Sequence, residues 1–256
     1  MDAALLAPAE EPGLWTPPSP GTHVVAGAGF SLIARHERAT VEGVRLQEAA
    51  VGAAVAEARA LARTRGVTEV VWWVGELSRP AGLAERLLAE GLVPYADEPL
   101  LVTLTVDRPP PAPAGVEVSR VSDLDAYREA IEVDWDAWDM PEDARARRRA
   151  AAAAAWEVQE ASGCIEHHVA RIEGRAAGFS RLVATGAAGV LMGGAVAPRA
   201  RGRGAYRALV RARWEASAAR GTPRLVTAAG AMSAPVLERL GFERIGEVRL
   251  LVDTRT

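Results

Sequence analysis

The sequence predicts an α/β chain built as two units in tandem, each a mixed, mostly antiparallel sheet flanked by helices. Three observations carry that expectation. The chain has 256 residues and a mass of 27.0 kDa, longer than one average domain and shorter than three. The run Asp107-Arg108-Pro109-Pro110-Pro111-Ala112-Pro113-Ala114-Gly115 offers too few backbone donors for a helix or sheet interior, so it reads as a stiff linker dividing the chain near its middle. On either side of it, helical and strand periodicities alternate. The expected divisions are a Pro-rich tail over 1–20, a first half over 21–107, a linker over 108–114 and a second half over 115–256. Hydrophobic residues at 49% and charged residues at 25% give an ordinary globular balance and exclude disorder as the main state.

Each element follows from local pattern. Pro8, Pro12, Pro17, Pro18 and Pro20 with no clear period predict an extended tail. Gly27-Ala28-Gly29 reads as a turn. A long helix is expected over 41–65 with a stop at Gly66, then a strand over 68–74, a helix over 81–90 closed by Gly91, and a strand over 100–106. Past the linker, 115–119 alternates as a strand, and Ser122 with Asp125 suggests a capping box. Leu124, Tyr127, Ile131, Trp135 and Trp138 then share one helical face. Pro141 suits the first turn of a second helix that runs to Gly163. Strands are expected over 164–172, 175–183 and 190–197, joined at Glu173-Gly174 and Thr185-Gly186. A helix from Gly204 carries Tyr206, Leu209, Val210 and Trp214 on one face and ends at Gly221 and Pro223. A strand over 224–229, a short helix over 233–240 closed by Gly241, and a strand over 243–253 complete the order β-αα-βββ-α-β-α-β. Helix, Gly, strand, helix, Gly, strand recurs in both halves, so the first half reads as a degenerate copy of the second.

Composition narrows the functional classes. The single cysteine, Cys164, excludes an internal disulfide and a multi-cysteine zinc site, and a reducing cytoplasm is the expected compartment. Asp2, Glu10 and Glu11 leave no basic leader segment, and the uncharged stretch 182–198 is too short and glycine-broken to span a bilayer. All 30 basic residues are arginine and there is no lysine, which rules out a GxxxxGK[ST] phosphate loop and fits the codon bias of a GC-rich bacterial genome. A net charge of −3 argues against a globally basic nucleic-acid binder.

One stretch is chemically specific. From Gly193-Gly194-Ala195-Val196 the chain runs through Pro198-Arg199-Ala200-Arg201-Gly202-Arg203-Gly204 into the helix at Ala205. Gly202 and Gly204 let successive amides turn inward and add to the unpaired amides of the helix start, which suits an anion. Arg199, Arg201, Arg203, Arg207, Arg211 and Arg213 crowd this region with no acidic residue before Glu215. Phosphate is the fitting partner, since charge-assisted hydrogen bonds contribute about 1.5–3 kcal/mol each; no metal is required. The glycine pair inside a strand marks a bulge. A strand bending away there leaves the amides of Ala195 and Val196 to an extended amide-bearing ligand such as pantetheine.

The run Val196-x-Pro198-Arg199-x-x-Gly202-x-Gly204 resembles the acyl-CoA loop of the GNAT superfamily of N-acetyltransferases, and Leu237-Glu238-Arg239-Leu240-Gly241-Phe242 is similar to that superfamily's late helix ending in Gly-Phe. The resemblance covers about 115–253, and the pairing with a degenerate first half looks like tandem members of the superfamily. It implies a GNAT fold, acetyl-CoA as cosubstrate, and direct attack by a small-molecule amine. By it, the amides from Arg201 through Gly202, Arg203 and Gly204 to Ala205 hold the pyrophosphate, with Arg199 and its neighbours available to the 3′-phosphate. Val196 anchors pantetheine, and an N–H near Ala195 or Val196 polarises the thioester carbonyl. Leu237 stands where many members carry a tyrosine acid, which motivates an alternative, a non-catalytic acyl-CoA-binding protein. Glu166, His167 and His168 are the candidates for a general base. A monomer or homodimer without membrane or nucleic-acid partners is expected.

Other residues have plainer readings. His167 and His168 face opposite sides of a strand and cannot share one metal ion. The spacing of Trp135 and Trp138 favours core packing, and Arg145, Arg147, Arg148 and Arg149 read as a solvated helix face. No GxSxG elbow, HExxH helix or CxxC pair is present.

Overall fold

In the computed structural model, which describes residues 2–255, the elements run α1 (Ala3–Glu10), α2 (Pro12–Trp15), β1 (Thr22–Gly27), β2 (Phe30–Arg35), β3 (Arg38–Glu42), α3 (Val51–Arg63), β4 (Glu69–Val74), α4 (Leu83–Ala89), β5 (Val93–Pro94), β6 (Leu100–Val106), β7 (Glu117–Arg120), α5 (Leu124–Ala137), α6 (Glu142–Ser162), β8 (Ile165–Ile172), β9 (Arg175–Ala184), β10 (Gly189–Val196), α7 (Ala205–Ala219), β11 (Leu225–Ala229), α8 (Ala234–Arg239) and β12 (Glu243–Asp253). Two units share this chain. The first holds the residues up to Leu104 together with 228–238 and the segment from Glu243 onward; the second holds Thr105–Thr227 and Arg239–Phe242. The first boundary between the units therefore falls just before the proline run, while β12 belongs to the first unit rather than to the half that precedes it in sequence.

In the first unit, β1, β2 and β3 form an antiparallel meander, β3 pairs parallel with β4, and β12 runs antiparallel to β4. Leu32, Val41, Val55, Trp72 and Leu87 are fully buried in its core. Two expectations give way here. Residues 41–65 are not one helix: β3 and a loop occupy the first part, and α3 starts only at Val51, after a short 3₁₀ turn over Glu48–Ala50. Residues 1–20 are not an extended tail either. Asp2 caps α1 by accepting from the Ala4 N–H at 3.0 Å, Pro8 sits within the helix, and Pro12 opens α2, where its missing N–H costs nothing. Leu5, Leu6 and Ala9 bury their side chains, and the Glu10 carboxylate accepts from the N–H groups of Glu76 and Leu77 at 3.0 and 2.9 Å.

In the second unit, β7, β8, β9 and β10 form an antiparallel meander and β11 adds parallel to β10. Adjacent residues of β8 face opposite sides, so Val169 packs with α5 and α6 while Ala170 packs with Ala205 and Leu209 of α7. The cap of α5 is Asp123, which accepts from the Ala126 N–H at 2.8 Å, one residue later than the Ser122 box predicted. Gly163 ends α6 in the left-handed region and Gly204 opens α7 in the same region. Trp135 is buried but Trp138 is 61% exposed at the end of α5, so the helical stripe stops one turn short. No helix among the described residues is long and apolar enough to cross a membrane.

One consequence is measurable. Glu42, at the end of β3, is buried and accepts from the Gly13 N–H at 2.7 Å and the Thr40 hydroxyl at 2.8 Å. Burial pushes its carboxyl up to about 7, partly offset by those donors. The unfolded chain gives up this proton near 4.5, so between about 4.5 and 7 the folded state holds the extra proton and stability falls as pH rises, by up to about 3 kcal/mol. Glu42→Gln, which keeps an acceptor, is expected to flatten that slope in urea titrations from pH 4.5 to 8. An unchanged slope would remove Glu42 as its source.

Candidate functional site

The second unit's parallel pair is brief. β10 and β11 match only at Gly189 with Leu225 and Val190 with Val226. The Thr227 hydroxyl then donates to the Leu191 carbonyl at 3.1 Å, and past that point β10 continues to Val196 paired with β9 alone. The cause lies in the glycine pair. The register with β9 shifts between Met192 and Gly194, and Gly193 sits at φ 72, leaving one residue without a cross-strand partner. A side chain would strain that conformation by about 1–2 kcal/mol. The bulge turns β10 away from β11 and leaves an open backbone edge.

Which amides face that edge follows from the ladder. The Ala197 N–H donates to the Ala177 carbonyl on β9 at 3.0 Å. Backbone groups alternate along an antiparallel strand, so Ala195 also faces β9 while Val196 presents its N–H and C=O outward. Of the two residues expected to donate near a thioester, Ala195 is thus turned inward and Val196 outward.

Beyond Val196, Pro198–Ala200 makes a 3₁₀ turn, Gly202 and Gly204 both take positive φ, at 77 and 91, and α7 begins at Ala205 without a side-chain cap. The first amides of this helix point out of its end, where the dipole favours an anion. A Cβ at Gly202 would meet nothing within 4 Å, so the turn is open there, whereas Gly204 lies 3.0 Å, measured from its would-be Cβ, from Pro113 of the proline run.

The arginines divide into three kinds. Arg203 pairs with Glu173 at 2.6 Å, Arg199 reaches Asp136 at 3.6 Å and the Ala176 carbonyl at 3.0 Å, and Arg201 donates to the Ala137 carbonyl at 3.2 Å. Exposed pairs of this sort contribute at most about 1 kcal/mol, less than a phosphate hydrogen bond returns, so they can be exchanged for one. Arg211 pairs with Glu215 at 2.6 Å. Arg207, exposed beside Gly204, has no ion pair among the described residues and is the freest cation at the turn. Arg213 is 1% exposed and lies beneath α7, out of reach of any phosphate at the turn.

Comparison with known proteins agrees with this geometry. The acetyltransferase (GNAT) family model matches residues 127–242. These residues form a GNAT-family acetyltransferase domain. A tandem GNAT protein from the clavulanic acid biosynthesis pathway is 20% identical, with a TM-score of 0.67 over 92% of this chain and 84% of its own. A GCN5-related N-acetyltransferase from Kribbella flavida is 19% identical, with a TM-score of 0.70 over 98% of this chain and 95% of its own. A similar protein from Sphaerobacter thermophilus is 17% identical, with a TM-score of 0.61 over 88% and 76% of the two chains. Comparison with curated protein sequences finds no match. The fold is thus that of GNAT proteins over most of the chain.

Within the GNAT domain, the expected bases lie away from the bulged strand. β8, which carries them, is separated from β10 by β9. The Glu166 carboxylate is held by Arg220 at 2.6 Å. His168 is 5% exposed on the α7 side, and burial, helped by Arg213, pushes it down to about 4. His167 lies on the opposite face among Tyr127, Trp156 and Phe179, accepts from Arg181 at 3.3 Å, and is pushed by burial down to about 3. The sequence reading missed Asp134 of α5, whose carboxyl burial raises and which has Arg181 nearby and a hydrogen bond from the Trp138 side chain. Its signal was an acid between Ile131 and Trp135 on a largely apolar face. Both His167 and His168 are expected to stay neutral from pH 8 to 5, with ring resonances that do not titrate in that range; a midpoint near 6.5 for either would contradict their burial.

Proposed function

We propose that the GNAT domain is an acetyl-CoA-dependent N-acetyltransferase acting on a small amine. One observation carries this reading: the open edge of β10 at Val196 leads directly into the uncapped, glycine-lined start of α7. A linear ligand with an amide-bearing arm and a diphosphate fits both at once, the arm pairing as an added strand and the diphosphate taking the amides from Gly202 to Ala205. Arg207 and, by exchange, Arg199, Arg201 and Arg203 supply counter-charge. Acetyl-CoA supplies the activated acyl thioester, and the chain's own groups orient it and hold its carbonyl beside main-chain donors.

The amine must lose a proton before attack, since an alkylammonium has a pKa of about 10.4. Asp134 is the proton acceptor we favour over Glu166 and His168. Its neighbour Arg181 is the cross-strand partner of Met192, where the bulge begins, which puts this carboxylate on the α5 face of the bulged strand. Leu237 offers no proton to the departing thiolate, but a thiol of pKa about 8.5 leaves in part unaided, so catalysis is slowed rather than abolished. The second reading, a binding protein without turnover, has only Leu237 in its favour.

Two measurements test this. Calorimetry with acetyl-CoA is expected to show micromolar binding that Gly202→Glu abolishes by placing a carboxylate where the diphosphate sits; equal affinity in the variant would refute the loop assignment. Thiol release with an amine panel is expected to detect turnover, and Asp134→Asn is expected to lower kcat by roughly 10²-fold with little change in KM for acetyl-CoA. Binding without thiol release on any amine would favour the non-catalytic reading.

A further inference from the structure

A buried cation lies under the bulge. Arg213 of α7 is 1% exposed and has no carboxylate partner among the described residues. Its Nη1 donates to the Gly193 carbonyl at 3.0 Å and more weakly to the Arg181 carbonyl at 3.4 Å, and its Nε donates to the Leu209 carbonyl at 3.1 Å. Tyr206, two turns earlier on the same helix face, interacts with it through its hydroxyl. A Cβ at Gly194 would come within 3.3 Å of both Nη2 of Arg213 and the Tyr206 ring, so the second glycine leaves room for this pair. Ser180 and His168, on the same face of β9 and β8, each have a buried polar atom without a partner, as does Nη2 itself. A guanidinium kept this dry without an anion carries a heavy desolvation penalty. Packing alone would be served better by a methionine or leucine.

The geometry points to a role for that charge: Arg213 is a positioning residue that grips the Gly193 carbonyl from the α7 side and thereby aims the Gly194 N–H. The peptide between them is planar and trans, so its C=O and N–H point in opposite directions. With the carbonyl fixed toward Arg213, the Gly194 N–H points away from it, and the alternation that turns Ala195 to β9 turns Gly194, like Val196, to the open edge. This makes Gly194, rather than Ala195, the main-chain donor set to polarise an acyl carbonyl lying along the open edge. Gly193 supplies the left-handed turn, Gly194 the space, and Arg213 the hold that keeps the unpaired residue from relaxing back into register. The inference rests on the acyl-CoA reading of the site, and Arg213 acts through Gly194 without touching the ligand.

The test reads the carbonyl itself and needs no acceptor amine. Infrared spectra of acetyl-CoA carrying ¹³C in its acetyl carbonyl, bound to the full chain, are expected to show the thioester stretch displaced to lower wavenumber than in free acetyl-CoA. In Arg213→Met, calorimetry is expected to show acetyl-CoA still binding, because the phosphate turn is untouched, while the displacement is lost; Arg213→Lys is expected to restore part of it. A wild-type displacement that persists in Arg213→Met reduces Arg213 to packing and overturns the inference. Should Arg213→Met not fold, Tyr206→Phe, which loosens the guanidinium without deleting it, is expected to halve the displacement, and a full one in both Tyr206→Phe and Arg213→Lys overturns the inference equally. Failure of the wild-type chain to bind acetyl-CoA would instead bring down the acyl-CoA reading beneath it.

Discussion

The second unit turns on one left-handed residue. With Gly193 at positive φ, β10 cannot keep both neighbours, and it gives up β11 after Val190 while holding β9 through Val196. An unpaired strand edge is normally a liability that proteins cover or charge. Here it is short, flanked by glycine, and runs straight into a helix start that lacks a cap. Each of these features would weaken a purely structural domain, and together they form one continuous strip of unsatisfied donors suited to a ligand that is amide at one end and anion at the other.

The first unit shows the same strand-loop-helix pattern without the opening. The corresponding segment from β3 to α3 has neither a glycine pair nor an arginine-rich turn. Without the glycine pair, β3 keeps an unbroken parallel register with β4 from Arg38 to Val41. Where the second unit has arginines, the first has Glu48 in the opening turn and the Glu90 carboxylate 2.9 Å from where a Cβ of Gly52 would stand. These acids repel an anion. The α1–α2 segment then closes the strand ends through Glu10 and the Gly13 N–H on Glu42. The strand-loop-helix pattern is thus filled by the protein's own groups in the first unit and left open in the second.

Much of this was legible because it is local. The glycine spacing from Gly193 to Gly204, the hairpin at Glu173-Gly174 and the final strand over Glu243–Asp253 all declare themselves through backbone conformation or period. What stayed hidden is non-local or context-dependent. The prolines of the first 20 residues suggested an extended tail, yet Pro12 stands at a helix start and Pro8 is tolerated in a short helix whose Leu5 and Leu6 find a core. β1 is half-exposed along its length and lacks a hydrophobic alternation that would mark it. The pairing of β12 with β4 is chosen by residues nearly 180 positions away. The arginine run looked uniform in sequence, but burial separates Arg213, which serves the backbone, from Arg207, which is free to meet a ligand. Likewise the adjacent His167 and His168 gave no sign that both would be dry and neutral.

On this reading the β10 edge and the start of α7 take one ligand together. Amide hydrogen exchange resolved to single residues, with and without acetyl-CoA, tests it most directly. Strong added protection at Val196 and at the amides from Gly202 to Ala205, with none at Ala195, whose N–H is already turned to β9, is the predicted pattern. Protection confined to other segments, or exchange at Val196 unaffected by saturating acetyl-CoA, would contradict it.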